Sequence, residues 1–161
     1  MTRKKGHRFG LKTSRLLLAV EQSDVDAVTR ALDAGEPIEI RDYDGNTPLI
    51  RAAFLGNARL VELLIERGAD VNAANDRGWT ALHFAAQEDK GEAARGLVQA
   101  GANIEARDVN GNTPLSNAVF NDARKTMEYL IRAGADPNKQ NDHGVSPAEL
   151  AQSVGLDLPK A

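Results

Sequence analysis

The chain has 161 residues and no cysteine, so one domain, or at most two, must fold without disulfides or thiolate-bound metal. Only 4% of its residues are aromatic, and a net charge of −3 conceals an asymmetry. Six of the 20 basic residues and none of the 23 acidic residues lie within residues 1–15, so the remainder is acidic, with a net charge of −9.

Residues 1–13 form a basic N-terminal arm, for which we predict a flexible, solvated tail. The alternatives are contact with nucleic acid, with an anionic membrane or with the protein's own acidic body. The apolar run from Leu16 to Val20 is shorter than the roughly 7–15 residues of a signal-peptide core, and Glu21 ends it. No stretch approaches the ~18 apolar residues of a membrane span, so we expect a cytoplasmic protein without a membrane segment.

A fixed period dominates the sequence from residue 35 onward. Glycines recur every thirty-three residues at Gly45, Gly78, Gly111 and Gly144, and again at Gly35, Gly68, Gly101 and Gly134. The same register carries a hydroxyl residue, a leucine and an alanine: Thr47, Thr80, Thr113 and Ser146; Leu49, Leu82 and Leu115; Ala52, Ala85, Ala118 and Ala151. Such a period predicts stacked supersecondary units, because one unit cannot bury its apolar faces alone.

Each period predicts a projecting finger, a first helix, a turn and a second helix. In the first full unit, residues 42–45 supply turn residues for a hairpin-like finger. Thr47 can cap a helix that has Pro48 at its first position. Residues 60–65 have the apolar spacing of a second helix, which Gly68 can end in a left-handed conformation.

Three consecutive units, Asp42–Asn72, Asn75–Asn103 and Asp108–Asn138, resemble the ankyrin repeat in length and in motif, the first reading DYDGNTPLIRAAFLGNARLVELLIERGADVN. The resemblance implies an all-α solenoid of stacked helix-turn-helix units with projecting hairpin-like loops. It implies a single domain over residues 14–161. The predicted units cover about 14–41, 42–74, 75–107, 108–140 and, as a half repeat, 141–161.

Three places depart from the motif. Ser14-Arg15-Leu16 replaces Thr-Pro-Leu in the first unit, as expected of an atypical N-terminal cap. In the last unit, Pro159 predicts that the second helix is missing, because proline cannot extend a helix interior. Gly91 and Gly96 fall in the second helix of the third unit, where each costs about 1 kcal/mol relative to alanine.

Motifs that carry catalysis or bind a cofactor are absent from the sequence. The glycines form no Walker-type or Rossmann-type loop, and neither HExxH nor GxSxG occurs, so we predict no enzyme, no catalytic residue and no cofactor. The aspartates at positions 42, 70, 108 and 136 recur with the period, so we interpret them as turn and loop residues and expect no metal site. In ankyrin repeats a histidine at the position of His83 often bonds across repeat loops, so a structural role is predicted.

In ankyrin repeats, partner contacts come mainly from the fingers and from the exposed face of the first helices, which line a concave groove. Carried over by register, the resemblance implies finger contacts at Tyr43, Asp44, Asn46, Asp76, Arg77, Trp79, Asn110, Asn112 and His143. It implies helix contacts at Arg51, Phe54, Phe84, Gln87, Glu88, Asn117, Phe120 and Asn121. These are the predicted partner-binding residues.

Trp79 is the first candidate for an exposed binding anchor, because asparagine stands at its position in the neighbouring units and the core does not require an aromatic there. The alternative is that Trp79 packs on its own finger. Phe54 and Phe120 are further candidates, unless they fold back on the helix turn. Five carboxylates surround these anchors: Asp44, Asp76, Glu88, Asp122 and Asp142. They would favour a partner with a basic face, and the alternative is that they form an ordinary solvated surface.

The sequence therefore predicts a non-enzymatic module, monomeric when free, that binds another protein carrying a basic or apolar patch. One version is an inhibitor or immunity protein that neutralises a toxin or enzyme by occluding its site, and another is a scaffold or regulator. A nucleic-acid-associated adaptor would need the basic arm to act with a basic groove. Because the predicted groove is acidic, nucleic acid is the less favoured partner.

Overall fold

The computed structural model describes residues 14–159, so the predicted basic arm and its alternative contacts lie outside the described residues. Within this range the chain is all-α, as predicted, with one isolated bridge between Ala74 and Thr80. The helices are α1 (Arg15–Glu21), α2 (Val25–Asp33), α3 (Pro48–Leu55), α4 (Ala58–Glu66), α5 (Ala81–Gln87), α6 (Gly91–Gln99), α7 (Pro114–Phe120), α8 (Arg124–Arg132) and α9 (Pro147–Ser153). None of these helices is long and apolar enough to cross a membrane.

The first helix of each unit begins where the sequence pattern predicts. Thr47, Thr113 and Ser146 each accept a hydrogen bond from the backbone N–H three residues on, and proline follows each of them. Ser14 caps α1 in the same way, although Arg15 replaces the proline. The hydroxyl satisfies a backbone donor that the helix itself leaves unpaired, so even the degenerate first unit has a defined start.

The helices form two rows. The first helices α1, α3, α5, α7 and α9 pack on one another in chain order, and α4, α6 and α8 do so among the second helices. Leucines form a buried ladder through each row: Leu49, Leu82 and Leu115 in the first, and Leu64, Leu97 and Leu130 in the second. Ala52, Ala85 and Ala118 are fully buried between the first helices. The core is therefore continuous along the stack.

The turn between the two helices of a unit requires a left-handed residue. Gly56 supplies it with a φ of 72°, and Asp89 and Asp122 adopt 51° at the equivalent positions. Asp89 also reaches the next unit, since its Oδ1 accepts the backbone N–H and the hydroxyl of Thr126 at 2.9 and 3.1 Å. The N-terminus of α8, whose own N-cap residue is Ala123, thus receives a side-chain bond from the preceding unit.

The last described residues, 154–159, form no helix after α9. Leu156 and Leu158 are partly buried against the core, so this segment covers part of the final unit without a second helix.

Candidate functional site

Four fingers, residues 42–46, 75–79, 108–112 and 141–145, are joined edge to edge, and each takes the number of the unit that it begins, so they are the second to fifth fingers. Each finger closes on itself through a hydrogen bond from its first backbone N–H to its last carbonyl, at 2.9 to 3.0 Å. Neighbouring fingers are joined by a bond from the later finger's N–H to the earlier finger's carbonyl, at 3.2, 3.0 and 3.0 Å: Asp76 to Asp44, Val109 to Arg77 and Asp142 to Asn110. These bonds hold the finger tips in one row.

Asparagine side chains add a second link between fingers. Asn75 donates its amide to Oδ1 of Asn46 at 2.8 Å, and Asn141 donates in the same way to Asn112 at 2.8 Å. Asn46 is buried, and Asn112 is half-buried. Both are predicted partner contacts, and within the protein their side chains already join neighbouring fingers.

Trp79 stands at the finger position of Asn46 and Asn112, but its side chain donates a hydrogen bond to the next finger where theirs accept one. Its Nε1 donates to Oδ2 of Asp108 in the next finger at 3.1 Å. Its ring makes an edge contact with Phe84, with centroids 4.9 Å apart, and stacks on His83 at 6.1 Å. Trp79 is half-buried, so the anchor predicted to be exposed is partly used by the fold, and it packs on α5 and not on its own finger.

The other aromatic candidates divide into two groups. Phe54 makes an edge contact with Phe84, with centroids 5.9 Å apart, which extends the row of rings from α5 to α3. Tyr43 and Phe120 are 82% and 73% exposed. Tyr129, which lies on α8, is half-buried under the guanidinium of Arg95. The structure therefore leaves Tyr43 and Phe120 as the most exposed rings.

A groove of about 450 Å³ lies between the third and fourth fingers and the helices α5 and α7. We call it the Asp108 groove. It brings together eight predicted contact residues: Arg77, Trp79, Gln87, Asn110, Asn112, Asn117, Phe120 and Asn121. Val109 lines it as well, and three further members were missed by sequence reasoning: Asp108, Ser116 and Leu150. A smaller groove of about 140 Å³ collects Asp44, Asn46, Arg51, Phe54, Arg77 and Phe84 around the second and third fingers.

The remaining predicted residues lie outside both grooves. Asp76 and His143 are exposed on finger tips, and Tyr43 lies beside α1 in a separate hollow. Glu88, half-buried after α5, accepts the amide of Gln87 at 2.9 Å. The predicted set is thus spread along one edge of the stack, with its densest part at the Asp108 groove.

Two fingers carry an aspartate at their first position, and their surroundings differ. Oδ2 of Asp42 accepts Nε and Nη2 of Arg51 at 2.7 and 2.6 Å. Burial raises the pKa of Asp42, but hydrogen bonds from Asn46 and Asp44 and the charge of Arg51 outweigh burial, so its pKa lies below the usual value. Arg51, predicted as a partner contact, is therefore already paired within the protein.

Asp108 is the equivalent residue two units later, where Asn117 stands in the place of Arg51. Oδ1 of Asp108 accepts the backbone N–H groups of Asn110 and Asn112 at 2.8 and 2.9 Å. Its Oδ2 accepts the indole of Trp79 and the amide of Asn112, at 3.1 and 3.3 Å. All four donors are neutral, and within residues 14–159 no cation forms an ion pair with this buried carboxylate.

Asn117 is 7% exposed, and its Nδ2 has no hydrogen-bond partner among the described residues. Its backbone carbonyl is occupied, since it accepts the side-chain amide of Asn121 at 2.9 Å. Most buried polar groups in proteins are paired, so an unpaired amide that lines a groove marks a place where the fold alone does not complete the hydrogen bonding.

Two of the five predicted carboxylates are neutralised by ion pairs within the protein. Asp122 pairs with Arg124 at 2.9 Å, and Asp142 pairs with Arg107 at 2.8 Å. Asp44 and Asp76 are exposed on the tips and form no ion pair within the described range. The acidic charge that a partner would meet is therefore concentrated at the second and third fingers.

His83 has the structural surroundings that the sequence predicts. Its Nδ1 accepts the backbone N–H of Thr80 at 3.1 Å, and its Nε2 lies 3.2 Å from the carbonyl of Asn112 in the next unit. Burial lowers the pKa of His83, outweighing the carbonyl of Asn112 and the charge of Asp108. The neutral ring therefore accepts at Nδ1, donates at Nε2 and links two units.

The fingers and grooves provide surface for non-covalent binding. The described residues contain no cluster of three or more histidine, aspartate or glutamate side chains that could hold a metal ion. The Asp108 groove presents aromatic and aliphatic surface beside amide groups and one buried carboxylate. Such a mixture of apolar surface and a few placed polar groups is suited to binding.

Comparison with known proteins agrees with the geometry. A family model described as ankyrin repeats (3 copies) matches residues 72–141, and one described as ankyrin repeats (many copies) matches residues 32–85. The potassium channel AKT1 of Oryza sativa subsp. indica is 37% identical over 71 residues, which are 44% of this chain and 8% of the channel. The neurogenic locus notch homolog protein 1 of Homo sapiens is 40% identical over 80 residues, which are 48% of this chain and 3% of that protein.

A third relative is the probable palmitoyltransferase AKR2 of Saccharomyces uvarum, 48% identical over 48 residues, which are 30% of this chain and 7% of that protein. The chain thus spans less than a tenth of the length of these relatives. Both family models describe repeats, and neither describes a catalytic domain. Given the thirty-three-residue period, the two rows of capped helices, the joined fingers and these matches, the chain belongs to the ankyrin-repeat family.

Proposed function

We propose that this chain is a non-enzymatic protein-interaction module that binds another protein through its fingers and the adjacent surface of α3, α5 and α7. The observation that carries the proposal is that Trp79, Val109 and Phe120 line one groove, and that Val109 and Phe120 are 65% and 73% exposed. An exposed apolar cluster of this kind costs solubility unless a partner covers it.

The repeat itself does not require these side chains. At the position of Val109 the other units carry Tyr43, Asp76 and Asp142. At the position of Phe120 they carry Phe54, Gln87 and Ser153. Because polar residues are tolerated at both positions, stacking does not explain the apolar ones. Burial of an exposed aromatic at an interface can contribute about 2 kcal/mol or more, so two or three anchors give measurable affinity.

The proposal is tested by quantitative affinity capture from the native lysate. The bait is the full chain, compared with a Tyr43→Ala, Phe120→Ala double variant, whose truncated rings are exposed and leave the core intact. Tyr129→Ala is the positional control, since it removes a ring from α8, away from the fingers. Because that ring is half-buried against the core, the melting temperature of the control is measured as well. We expect a partner that is retained by the control and lost from the double variant, with unchanged melting of the double variant. A partner captured equally by all three baits would refute the proposed face.

The inhibitor version of this function is supported by the exposed carboxylates of Asp44 and Asp76, which would suit a basic cleft on an enzyme or toxin. It requires that the captured protein lose its activity at a one-to-one ratio with the chain, and an undiminished activity in the saturated complex would exclude it. A cytoplasmic location and a role for the basic arm in nucleic-acid contact stay predictions from the sequence.

A further inference from the structure

We propose that the Asp108 groove accepts an arginine side chain of the partner protein, with its guanidinium in the place that Arg51 occupies beside Asp42. This inference rests on the proposed function, because it specifies the chemistry of the partner that this face binds. It does not depend on the identity of that partner.

The first support is a comparison of the four fingers with one another. The first finger residue and the helix residue nine positions later occur in four combinations: Asp42 with Arg51, Asn75 with Phe84, Asp108 with Asn117, and Asn141 with Leu150. Neutral asparagine goes with an apolar residue in two units, and charged aspartate goes with a cation in one. The unit that begins with Asp108 is the exception, because its aspartate is charged and its helix residue, Asn117, is neutral.

The second support is the state of the Asp108 carboxylate. Asp108 is 7% exposed, yet it receives neutral donors only, whereas Asp42 receives a guanidinium at 2.6 and 2.7 Å. A buried charge without a counterion is unfavourable, so an external cation that reached Asp108 would gain much of the attraction that Arg51 provides to Asp42. Asn117 is too short to fill the space of an arginine, and the groove occupies this side of the finger.

The third support is Asn117 itself. Its side chain is nine-tenths buried and lines the groove, and its amide makes no hydrogen bond with any described residue. An arginine offers five N–H donors in a fixed planar arrangement, which can serve a carboxylate and a neighbouring amide oxygen together. The amide N–H would need an acceptor, which a guanidinium lacks, so the amide oxygen is the group of Asn117 that an arginine engages.

The aromatic lining favours arginine over lysine. Trp79 and Phe120 both contribute surface to the groove, and a flat guanidinium stacks on aromatic rings while its edge bonds to oxygen. Lysine offers a compact, strongly hydrated charge without this geometry. We therefore expect discrimination between the two side chains as well as between a charged and a neutral one.

Arg77 is the cation of this chain that lines the same groove. Its side chain is exposed and forms no ion pair within residues 14–159, so its positive charge repels an incoming arginine. Arg77→Ala should therefore strengthen binding of an arginine probe. If Arg77 were the binding group for an acidic partner segment, the same substitution would abolish binding to that segment and would not strengthen the response to arginine.

The test uses the single tryptophan of the chain as a reporter, because the indole N–H of Trp79 donates directly to Asp108. The full ¹⁵N-labelled chain is titrated with N-acetyl-Gly-Arg-Gly-amide and with the peptide in which neutral citrulline replaces arginine. We expect a saturable shift of the indole resonance with the arginine peptide in the millimolar range, a weaker one with the lysine peptide and none with the citrulline peptide. Equal shifts with arginine and citrulline, or no shift with arginine, overturn the proposal.

Two variants make the test specific. Asp108→Asn should lose the saturable shift and still fold, since asparagine occupies the same finger position at residues 75 and 141. Asp42→Asn should retain the shift, because that carboxylate is already paired with Arg51. If Asp108→Asn responds to the arginine peptide as the wild type does, the assigned site is wrong.

Asn117→Arg provides an independent readout. It recreates within the fourth unit the combination of Asp42 and Arg51, so we expect a higher melting temperature and no response to the arginine peptide. An unchanged response in this variant would contradict the proposal.

The two proposals can be distinguished by their outcomes. If capture of the native partner requires Phe120 but the wild type does not bind the arginine peptide, the proposed function is retained and the arginine site is wrong. If the wild type binds the peptide but capture of the partner does not require Tyr43 and Phe120, the proposed interaction face is wrong.

Discussion

The second and fourth fingers share a backbone, a first residue and a set of backbone hydrogen bonds, but they differ in how their aspartate is neutralised. Asp42 is closed off by Arg51, whereas Asp108 lies beside Asn117 at the edge of an open groove. The fold therefore tolerates either arrangement. Because stacking of the repeats does not require a cation beside Asp108, the Asp108 groove is left as a surface for another molecule.

Removal of the arginine that closes the second finger should have the largest effect. Arg51→Ala leaves the Asp42 carboxylate partly buried without its cation, and we expect a loss of about 2 kcal/mol in the free energy of unfolding at neutral pH. Urea unfolding measures it. Arg77→Ala is the matched control, with an expected change within about 0.5 kcal/mol because its exposed guanidinium forms no ion pair in the described range. Equal losses would remove the contrast between the fingers.

The contrast between units extends to the second helices. α4 has an Asn57 cap and buries Leu60 and Val61, whereas α6 has no side-chain cap bond and buries alanines at these positions. Gly96 lies in the interior of α6, and a Cβ there would meet Cγ1 of Val61 at 3.9 Å, an ordinary contact. We therefore expect Gly96→Ala to stabilise the protein by about 1 kcal/mol in urea unfolding. A destabilised variant would show that α6 needs the glycine for packing.

The same difference predicts uneven hydrogen exchange in the wild type. Backbone amides of α6 (Gly91–Gln99) should exchange faster than those of residues 60–65 in α4, because α6 contains two glycines and buries smaller side chains. Amide exchange resolved by NMR measures the difference, and Gly96→Ala should narrow it. Equal protection of the two helices in the wild type would contradict this account of α6.

Acidification should reveal the contribution of Asp42 to stability. The folded-state pKa of Asp42 lies below its unfolded value, so its stabilising contribution is present above the unfolded pKa of about 3.9 and is lost as pH falls through the folded pKa. Unfolding curves at neutral pH and near pH 3 should therefore show a smaller acid loss for Asp42→Asn than for the wild type. An identical acid loss in both would mean that Asp42 contributes nothing to this dependence.

The smallest effect is expected for Asp108→Asn. The asparagine oxygen can still accept the backbone N–H groups of Asn110 and Asn112, as Asn75 and Asn141 do in their fingers. The half-buried indole of Trp79 loses its acceptor, but an uncompensated buried charge is removed at the same time, so the net loss of stability should not exceed about 1 kcal/mol. Differential scanning calorimetry beside Asp42→Asn tests the ranking, since Asp42→Asn should cost more. A larger loss for Asp108→Asn would show that this charge is needed by the fold.

The sequence predicts the architecture well because the period repeats each structural requirement four times. Thr47, Thr113 and Ser146 cap helices where expected, and His83 links two units as expected. A requirement shared by all units is visible from spacing alone, since capping and close packing depend on local residue type.

The candidate site could be predicted only in outline. Trp79 looks like a free anchor in the sequence, yet its indole serves Asp108, a contact between residues 29 positions apart. The period predicts only a turn residue at Asp108. Its unusual surroundings are indicated by Asn117, nine positions later, because the equivalent residue beside Asp42 is Arg51. Which asparagines are buried and which rings are exposed depends on neighbouring units, so local pattern does not determine it.

We propose that a partner protein binds the finger side of the stack around the Asp108 groove. The most direct measurement is the dissociation constant of the captured partner, by isothermal titration calorimetry, for the wild type, Phe120→Ala and Tyr129→Ala. We predict that Phe120→Ala weakens binding about tenfold or more, as expected of an interface anchor, while Tyr129→Ala changes it less than about twofold. Unchanged affinity for Phe120→Ala together with a large loss for Tyr129→Ala would contradict the claim and place the partner on the second helices.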